Sequence, residues 1–176
     1  MEMERTVECC VMPSPIGPLT LLSDGQGLTG LYMDTGGEAS AGQLAREGGD
    51  SPVLREARAQ LDAYFTGRLT VFELPLQLEG TEFQRRVWAA LCGIPYGETV
   101  SYRELAGRIG QPKAVRAVGL ANGRNPVSIV VPCHRVIGAD GTLTGYGGGL
   151  PRKRWLLDHE RGVERSWLSL NLPEQA

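Results

Sequence analysis

Residues 127–136 read VSIVVPCHRV, and this stretch decides how the chain is interpreted. Its first five residues are apolar and mostly β-branched, a pattern that predicts a buried strand. The predicted strand runs into Pro132, and a thiol, an imidazole and a guanidinium follow at Cys133, His134 and Arg135. Neighbouring cations and hydrogen bonds favour the thiolate form of a cysteine, so this arrangement predicts a reactive nucleophile.

The sequence leaves two interpretations of Cys133 open. Side chains of consecutive residues diverge, so direct proton transfer between Cys133 and His134 is awkward and a bridging water is the more natural relay. Most lone cysteines, however, are buried apolar side chains without chemistry. Cys133 is therefore either a nucleophile served by a relay or a core residue.

Upstream, two short predicted helices follow a longer one. Thr81–Gln84 and Ser101–Glu104 both have the pattern of a capping box, which predicts a helix after each. The second of these helices closes at Gly110, and Pro112 then predicts a further helix through Asn122. Two short helices joined by a glycine-containing turn have the form of a helix-turn-helix. A tightly packed helical hairpin is the alternative.

Downstream, a glycine-rich loop at 141–149 contains one aromatic residue, Tyr146. Pro151 predicts the start of a helix that ends near Glu160. A glutamate opposes the dipole at a helix C-terminus, where a cation is normally preferred. Either Glu160 is a buried carboxylate that accepts from an imidazole, or it lies by chance at an exposed helix end.

The first half of the chain predicts a small α+β module with a structural role. Apolar runs at 16–22 and 28–33 flank a turn cluster at 23–27, which indicates a hairpin. Pro52 predicts the start of a helix whose apolar residues recur at helical spacing. Residues 74–80 are the expected connection to the second half.

Composition separates the two halves by charge. Residues 1–80 hold five Lys/Arg and twelve Asp/Glu, a balance of −7, whereas residues 81–162 hold twelve and six, a balance of +6. A basic second half is able to meet a polyanion, although a solvated surface of uneven charge is the alternative.

The same composition argues against several other classes. No segment approaches the roughly 20 apolar residues of a membrane span. The N-terminus has no apolar signal core, so we expect a cytoplasmic protein. The four cysteines are irregularly spaced, which indicates free thiols. The two histidines, His134 and His159, are not spaced from the cysteines as in a zinc finger, so we expect no metal.

The second half resembles the O6-alkylguanine-DNA alkyltransferases. The similarity extends from about Thr81 to Glu160, in several separated motifs that occur in order, whereas the first half is similar only loosely, through Ser14–Gly17 and its length. The motifs are Ser101-Tyr102, Pro112–Gly119, Asn125-Pro126, Pro132–Val136, Gly145-Tyr146 and Trp155–Glu160.

The resemblance implies a role for each matching residue. Cys133 attacks the alkyl carbon, His134 relays a proton through water, and Glu160 orients that histidine. Asn125 stabilises the turns around the site, and Tyr102 contacts the target nucleotide and helps guanine to leave. Residues implied to contact DNA or frame the guanine are Arg116 as the wedge in the duplex, Arg103, Gln111, Val136, Tyr146, Gly147 and Gly148.

The resemblance also implies the architecture and the reaction. Residues 1–78 would form a ribonuclease-H-like α/β module, 79–168 a mainly helical, winged-helix-like domain with the helix-turn-helix, and 169–176 a tail. The substrate would be double-stranded DNA carrying O6-alkylguanine, met in the minor groove with the base flipped out. Transfer would be irreversible, occur once per protein and need no cofactor. We expect a monomer and leave cooperative binding open.

Two departures from the family matter. Some relatives bind zinc through an N-terminal domain, but both histidines here lie in the second half. Family members often have serine after the tyrosine of the glycine-rich loop, where this chain has Gly147, which leaves loop order and substrate preference open.

Three other functions stay in view. A lesion-binding relative would lack the nucleophile, usually replaced by Trp, whereas Cys133 is present. A winged-helix regulator would ignore O6-alkylation and contain an inert Cys133, no more reactive than Cys92. A cysteine hydrolase would need an acyl site, and none is discernible.

Overall fold

The computed structural model describes residues 6–33 and 47–163. The chain divides into two compact units. The first contains the described residues up to Gly80 together with Pro126–Val130, and the second contains Thr81–Asn125 and the described residues from Val131 onward. The predicted tail at 169–176 lies outside the described residues.

The first unit is an antiparallel sheet packed against one helix. Its strands are β1 (Glu8–Met12), β2 (Leu19–Ser23) and β3 (Leu28–Met33), in the order β1-β2-β3. The helix, α1, spans Pro52–Phe65. The predicted hairpin and helix are confirmed, whereas β1 was not predicted.

Local side-chain bonds explain where these elements begin and end. The Ser23 hydroxyl donates to the Gly27 carbonyl (2.9 Å) and accepts from the Gly25 amide (3.0 Å), which closes the hairpin turn. Gly25 has a φ of +86°, a backbone conformation that favours glycine. Ser51 caps α1 by accepting from the Leu54 amide, and Pro52 occupies the first turn.

Three helices of the second unit form the predicted helix-turn-helix and its support. They are α2 (Glu82–Cys92), α3 (Tyr102–Arg108) and α4 (Val115–Gly123). The capping box at Thr81 is present in both directions, and Ser101 caps α3 by accepting from the Glu104 amide. The indole of Trp88 on α2 donates to the Ala121 carbonyl of α4 at 2.9 Å, which anchors the second helix of the motif.

The start of α4 differs from the prediction. The helix begins at Val115 and has Ala114 as its N-cap, without a side-chain cap bond. Pro112 lies instead in a turn closed by the Ala114 amide, which donates to the Gln111 carbonyl at 2.9 Å. Because proline has its φ already set for the second position of a turn, it favours this turn as well as it favours a helix start.

The predicted strand at 127–131 is wrong, although its burial is correct. Val127 forms a single parallel bridge to Leu31, and the chain then turns. The Val130 amide donates to the Ser128 carbonyl at 2.9 Å, and Ile129 between them has a φ of +73°. This tight three-residue turn interrupts the strand, and β-branched side chains rarely adopt such a φ.

In the rest of the second unit, the Cys-His-Arg stretch packs against the last described helix. Cys133–Arg135 form a 3-10 turn, β4 (Val100–Ser101) pairs in parallel with β5 (Val136–Ile137), and α5 spans Leu150–Glu160. The predicted α+β class is confirmed. Within the described residues, no helix is both long and apolar enough to cross a lipid bilayer.

Candidate active site

Cys133 is a buried cysteine that forms no disulfide with any described residue, and its backbone is fixed from both sides. Its amide donates to the Val131 carbonyl at 2.8 Å, and the Asn125 side-chain amide donates to the same carbonyl at 2.7 Å. The Asn125 side chain therefore lies in the turn that precedes the cysteine, and its stabilising role there stays a prediction. The Asn122 amide also reaches the Cys133 carbonyl, at 3.5 Å.

His134 and Glu160 form a fully buried pair. The His134 Nε2 atom lies 2.7 Å from Glu160 Oε1, and both side chains have 0% exposure. Because an ionised carboxylate only accepts hydrogen bonds, Nε2 carries the ring proton and Nδ1 is left as an acceptor. Nδ1 is buried and has no hydrogen-bond partner within residues 6–33 and 47–163. The predicted Glu160–imidazole contact is thus present, with the basic nitrogen still unused.

Arg135 binds the same Glu160 carboxylate. Its Nε and Nη2 atoms donate to the two Glu160 oxygens at 2.8–3.2 Å, and its Nη1 atom donates to the Ile94 carbonyl at 2.7 Å. Burial of this ion pair is compensated by these directional bonds. The sequence predicted a guanidinium beside the thiol but not its pairing with Glu160, because Glu160 is distant along the chain.

The environment sets the two protonation states that a proton relay needs. Burial lowers the pKa of His134 below its usual 6.5 and outweighs the opposing effect of Glu160. Burial alone would raise the pKa of Glu160, but hydrogen bonds and positive charge from His134 and Arg135 lower it to about 2. At neutral pH the imidazole is therefore neutral and able to accept a proton, while the carboxylate orients it.

These pKa shifts predict a loss of stability in acid. Both groups bind protons more weakly when folded than when unfolded, so stability falls as pH drops. The His134 contribution begins to be lost below pH 6.5. The Glu160 contribution, present above pH 4.5 and lost towards pH 2, is roughly 3 kcal/mol. Urea unfolding at pH 7, 5, 4 and 3 measures this decline, of which the Glu160 part falls mainly below pH 4.5.

Asp50→Asn supplies the control for the acid profile. Asp50 pairs with Arg58 at 2.9 Å on the surface, so its removal should leave the profile unchanged. An unfolding free energy that stays constant from pH 7 to pH 4 in the unaltered protein would contradict the assignment.

Tyr102 contacts the glycine-rich loop. The Tyr102 hydroxyl donates to the Thr144 carbonyl at 3.0 Å, just before the predicted Gly145-Tyr146 motif. Val136 is buried in β5, whereas Gly147 is exposed. A Cβ atom added at Gly147 would meet nothing within 4 Å, so the absence of serine there has no steric cause. Gly148 is tied to α5, because the Arg152 guanidinium donates to its carbonyl at 3.1 Å.

The predicted DNA contacts lie apart from the buried pair, on exposed positions of the helix-turn-helix. Arg103 is exposed on α3, Gln111 in the turn, and Arg116 in the first turn of α4. Leu120, one helical turn after Arg116, has 64% of its surface exposed. The opposite side of α4 is buried through Val118, Ala121 and Asn122.

Two residues near the cysteine escaped sequence reasoning. The sequence marks Asn122 only as the end of a predicted helix, and Lys153 only as one of several basic residues on α5. In the structure, Lys153 has 0% exposure and donates to two main-chain carbonyls. Its position one and two turns before Leu157 and Glu160, on the buried side of α5, was the available signal.

The described part of the chain has no cluster of three or more His, Cys, Asp or Glu side chains that could hold a metal ion.

A buried cysteine beside an oriented imidazole, in a unit that also carries a helix-turn-helix, defines a class of protein that combines nucleophilic chemistry with a nucleic-acid-binding motif. The family description "6-O-methylguanine DNA methyltransferase, DNA binding domain" matches residues 82–162. The description "6-O-methylguanine DNA methyltransferase, ribonuclease-like domain" matches residues 7–78. The chain belongs to the 6-O-methylguanine DNA methyltransferase family.

Relatives and solved structures agree with this assignment. The methylated-DNA–protein-cysteine methyltransferase of Mycobacterium leprae is 56% identical over 157 residues, covering 88% of this chain and 93% of the relative. The Mycobacterium tuberculosis H37Rv protein of the same name is 57% identical over 158 residues, covering 89% and 94%. The crystal structure of Mycobacterium tuberculosis OGT in complex with DNA matches with a TM-score of 0.83 and 53% identity, covering 93% and 98%.

Proposed function

We propose that this protein repairs DNA by direct reversal, transferring the alkyl group from O6 of a guanine to Cys133. The observation that carries the proposal is the buried His134–Glu160 pair next to the cysteine, with His134 Nδ1 free to accept a proton. The relatives named above are methyltransferases that act on methylated DNA and use a protein cysteine as acceptor.

The reaction is a single displacement at carbon. The Cys133 thiol gives its proton to a water that passes one to His134 Nδ1, and the thiolate attacks the alkyl carbon. The S–C bond forms as the C–O6 bond breaks, and the electron pair returns to the guanine, which takes up a proton. Tyr102 is the proposed hydrogen-bond donor to the leaving guanine, a role for which its hydroxyl must turn away from the Thr144 carbonyl. The product thioether is a poor leaving group, so each protein reacts once and needs no cofactor.

The helix-turn-helix is the proposed DNA interface. The matching Mycobacterium tuberculosis structure is a complex with DNA, and α4 here exposes Arg116, Ala117 and Leu120. We infer that α4 enters the minor groove and that Arg116 fills the space left by the flipped nucleotide. Flipping is required because an in-line attack on the O6 substituent needs an enclosed pocket. Arg103 and Gln111 contact the backbone, and Val136, Tyr146, Gly147 and Gly148 frame the guanine.

The proposed roles of the two domains follow the difference in net charge between the acidic first half and the basic second half of the chain. Residues 1–78 form the structural domain, and 79–168 carry DNA binding and alkyl transfer. We place the protein in the cytoplasm and propose that it acts as a monomer.

Arg116→Ala tests the wedge. Because flipping matters only in a duplex, we expect transfer from duplex O6-methylguanine to slow at least about tenfold, a loss of about 1.4 kcal/mol of transition-state stabilisation. Reaction with free O6-benzylguanine should stay within about twofold, since no base is displaced. Single-turnover kinetics on both substrates provide the comparison.

Arg68→Ala is the matched control, because Arg68 is an exposed arginine of the first unit. It should leave both rates unchanged. Equal loss on both substrates in Arg116→Ala would refute the wedge and indicate damage to the active site instead.

The proposed function itself is tested by mass spectrometry. The protein is incubated with a duplex bearing one O6-methylguanine, and intact and peptide masses are measured. One added methyl group on the Cys133 peptide, with a plateau at one per protein, supports the proposal. Binding to the lesion without any mass gain would support a lesion sensor, and binding that ignores the lesion a regulator.

A further inference from the structure

The most unusual side chain outside the proposed relay is Lys153, on the buried side of α5. It has 0% exposure, although lysine is almost never fully buried without compensation. Its ammonium donates to the Val136 carbonyl at 2.6 Å and to the Thr144 carbonyl at 2.9 Å. Both acceptors are main-chain oxygens rather than carboxylates.

Those two carbonyls delimit one segment of the chain. Val136 begins β5, directly after the Cys133–Arg135 turn, and Thr144 precedes the Gly145–Gly149 part of the glycine-rich loop. The intervening residues close on themselves, since the Gly138 amide donates to the Thr142 carbonyl at 2.8 Å. The Lys153 ammonium therefore joins the two ends of segment 136–144. This segment leads directly into the residues proposed to frame the guanine.

Tyr102 shares this anchoring point. Its hydroxyl donates to the same Thr144 carbonyl at 3.0 Å, and Lys153 Nζ lies 6.0 Å from the centre of its ring. A cation over an aromatic face is attracted to it, so Lys153 also contacts the residue proposed to assist the leaving guanine. Three parts of the site, β5, the loop and Tyr102, thus meet at one buried charge.

Burying this charge is costly. Burial lowers the pKa of Lys153 to about 8, with the Cys133 charge acting in the opposite direction. A methionine would fill similar space without that cost, because an unpaired cation is far more expensive to desolvate than a thioether. The cost is explained if the two hydrogen bonds serve the geometry of the site.

We propose that Lys153 is a positioning residue for alkyl transfer, holding Val136 and Thr144 together so that the guanine-framing backbone is in register with Cys133. The inference rests on the proposed function and assigns a further residue to it. Lys153 does not touch the reacting atoms. It acts through the two carbonyls and through Tyr102.

Lys153→Met tests this proposal, with Arg154→Met as the matched control. Arg154 is the next residue on α5 and is exposed, so the control removes the same charge from the same helix. In single-turnover reactions with an O6-methylguanine duplex, the maximal transfer rate of Lys153→Met should fall by about 30- to 100-fold, as expected for a small misplacement of the reacting groups. The half-saturating duplex concentration should change by less than about threefold, since the DNA-facing helices are untouched.

Iodoacetamide labelling of the Cys133 peptide gives the readout that a purely structural role would not separate. This reagent needs no guanine-framing loop, so its rate should fall much less than the transfer rate. An equal fall in both reactions would place the effect on the thiol and overturn the proposal. A transfer rate equal to that of the unaltered protein or of Arg154→Met would overturn it too.

Lys153→Arg replaces the methionine variant if that variant loses its cooperative unfolding transition. Arginine keeps the charge, but its larger planar guanidinium has fixed donor directions and does not fit the fully buried space of the ammonium, so we expect a similar fall in transfer. Full activity in Lys153→Arg would contradict a positioning role. If the unaltered protein itself gains no methyl group, the proposed function fails, and that result is distinct from a failure of the variants.

Discussion

Cys133→Ala is expected to lose methyl transfer completely and to keep its affinity for duplex DNA within about threefold of the unaltered protein. The thiolate is the only proposed acceptor of the alkyl group, and without a nucleophile the oriented His134 has no proton to take. Cys133 is 5% exposed, and the proposed DNA contacts are surface residues of α3 and α4, so its truncation leaves that surface unchanged. Peptide mass analysis measures transfer, and fluorescence anisotropy measures binding.

Cys92→Ala is the control, because Cys92 is an exposed free thiol. It should accept one methyl group on Cys133 at the normal rate. A methyl group found on another residue of Cys133→Ala would show that the nucleophile lies elsewhere. Loss of DNA binding together with transfer would show that Cys133 is instead a structural core thiol.

Local signals gave much of the fold. Helix starts were predictable where a side chain caps the backbone, as at Thr81 and Ser101, because such bonds form within three residues of each other. The hairpin between β2 and β3 followed from turn residues and apolar runs for the same reason. The start of α1 was predictable from Pro52. The strand β1 was missed because Glu8–Met12 is short and has a single β-branched residue, and only pairing with β2 completes it.

Errors occurred where the backbone conformation is decided by distant contacts. The apolar run at 127–131 has the composition of a strand, but the positive φ of Ile129 turns it back. The chain enters the first unit at Pro126, whose carbonyl accepts from the Leu31 amide at 2.9 Å, and leaves it after Val130. Hydrophobic pattern predicts the burial of such a segment but cannot predict a reversal inside it.

The candidate site also contains some residues that the sequence predicted and some contacts that it did not. Motifs predict Cys133, His134 and Glu160 as site residues, and a carboxylate at the end of a helix that normally prefers a cation suggested the observed pairing of Glu160 with an imidazole. The partners of Arg135 and Lys153 were not predictable. Main-chain carbonyls such as those of Ile94, Val136 and Thr144 have no sequence signature, so the side chains that bind them look like ordinary surface cations.

Glu160→Gln should damage both chemistry and stability. The amide no longer provides the charge that orients His134, so transfer should slow by about 100-fold or more. It also leaves the buried Arg135 guanidinium without its counter-charge, which should lower the free energy of unfolding by about 3 kcal/mol. Single-turnover kinetics and urea unfolding at pH 7 measure the two effects.

The double variant Glu160→Gln/Arg135→Met separates them. With both members of the ion pair neutral, no buried charge is left unpaired, so much of the lost stability should return. Transfer should nevertheless stay slow, because His134 still lacks the carboxylate that fixes its Nε2 proton. Recovery of the transfer rate together with stability would show that Glu160 acts only through Arg135 and the fold. Slow transfer in a stable double variant would show that the 2.7 Å contact between His134 and Glu160 serves the reaction itself.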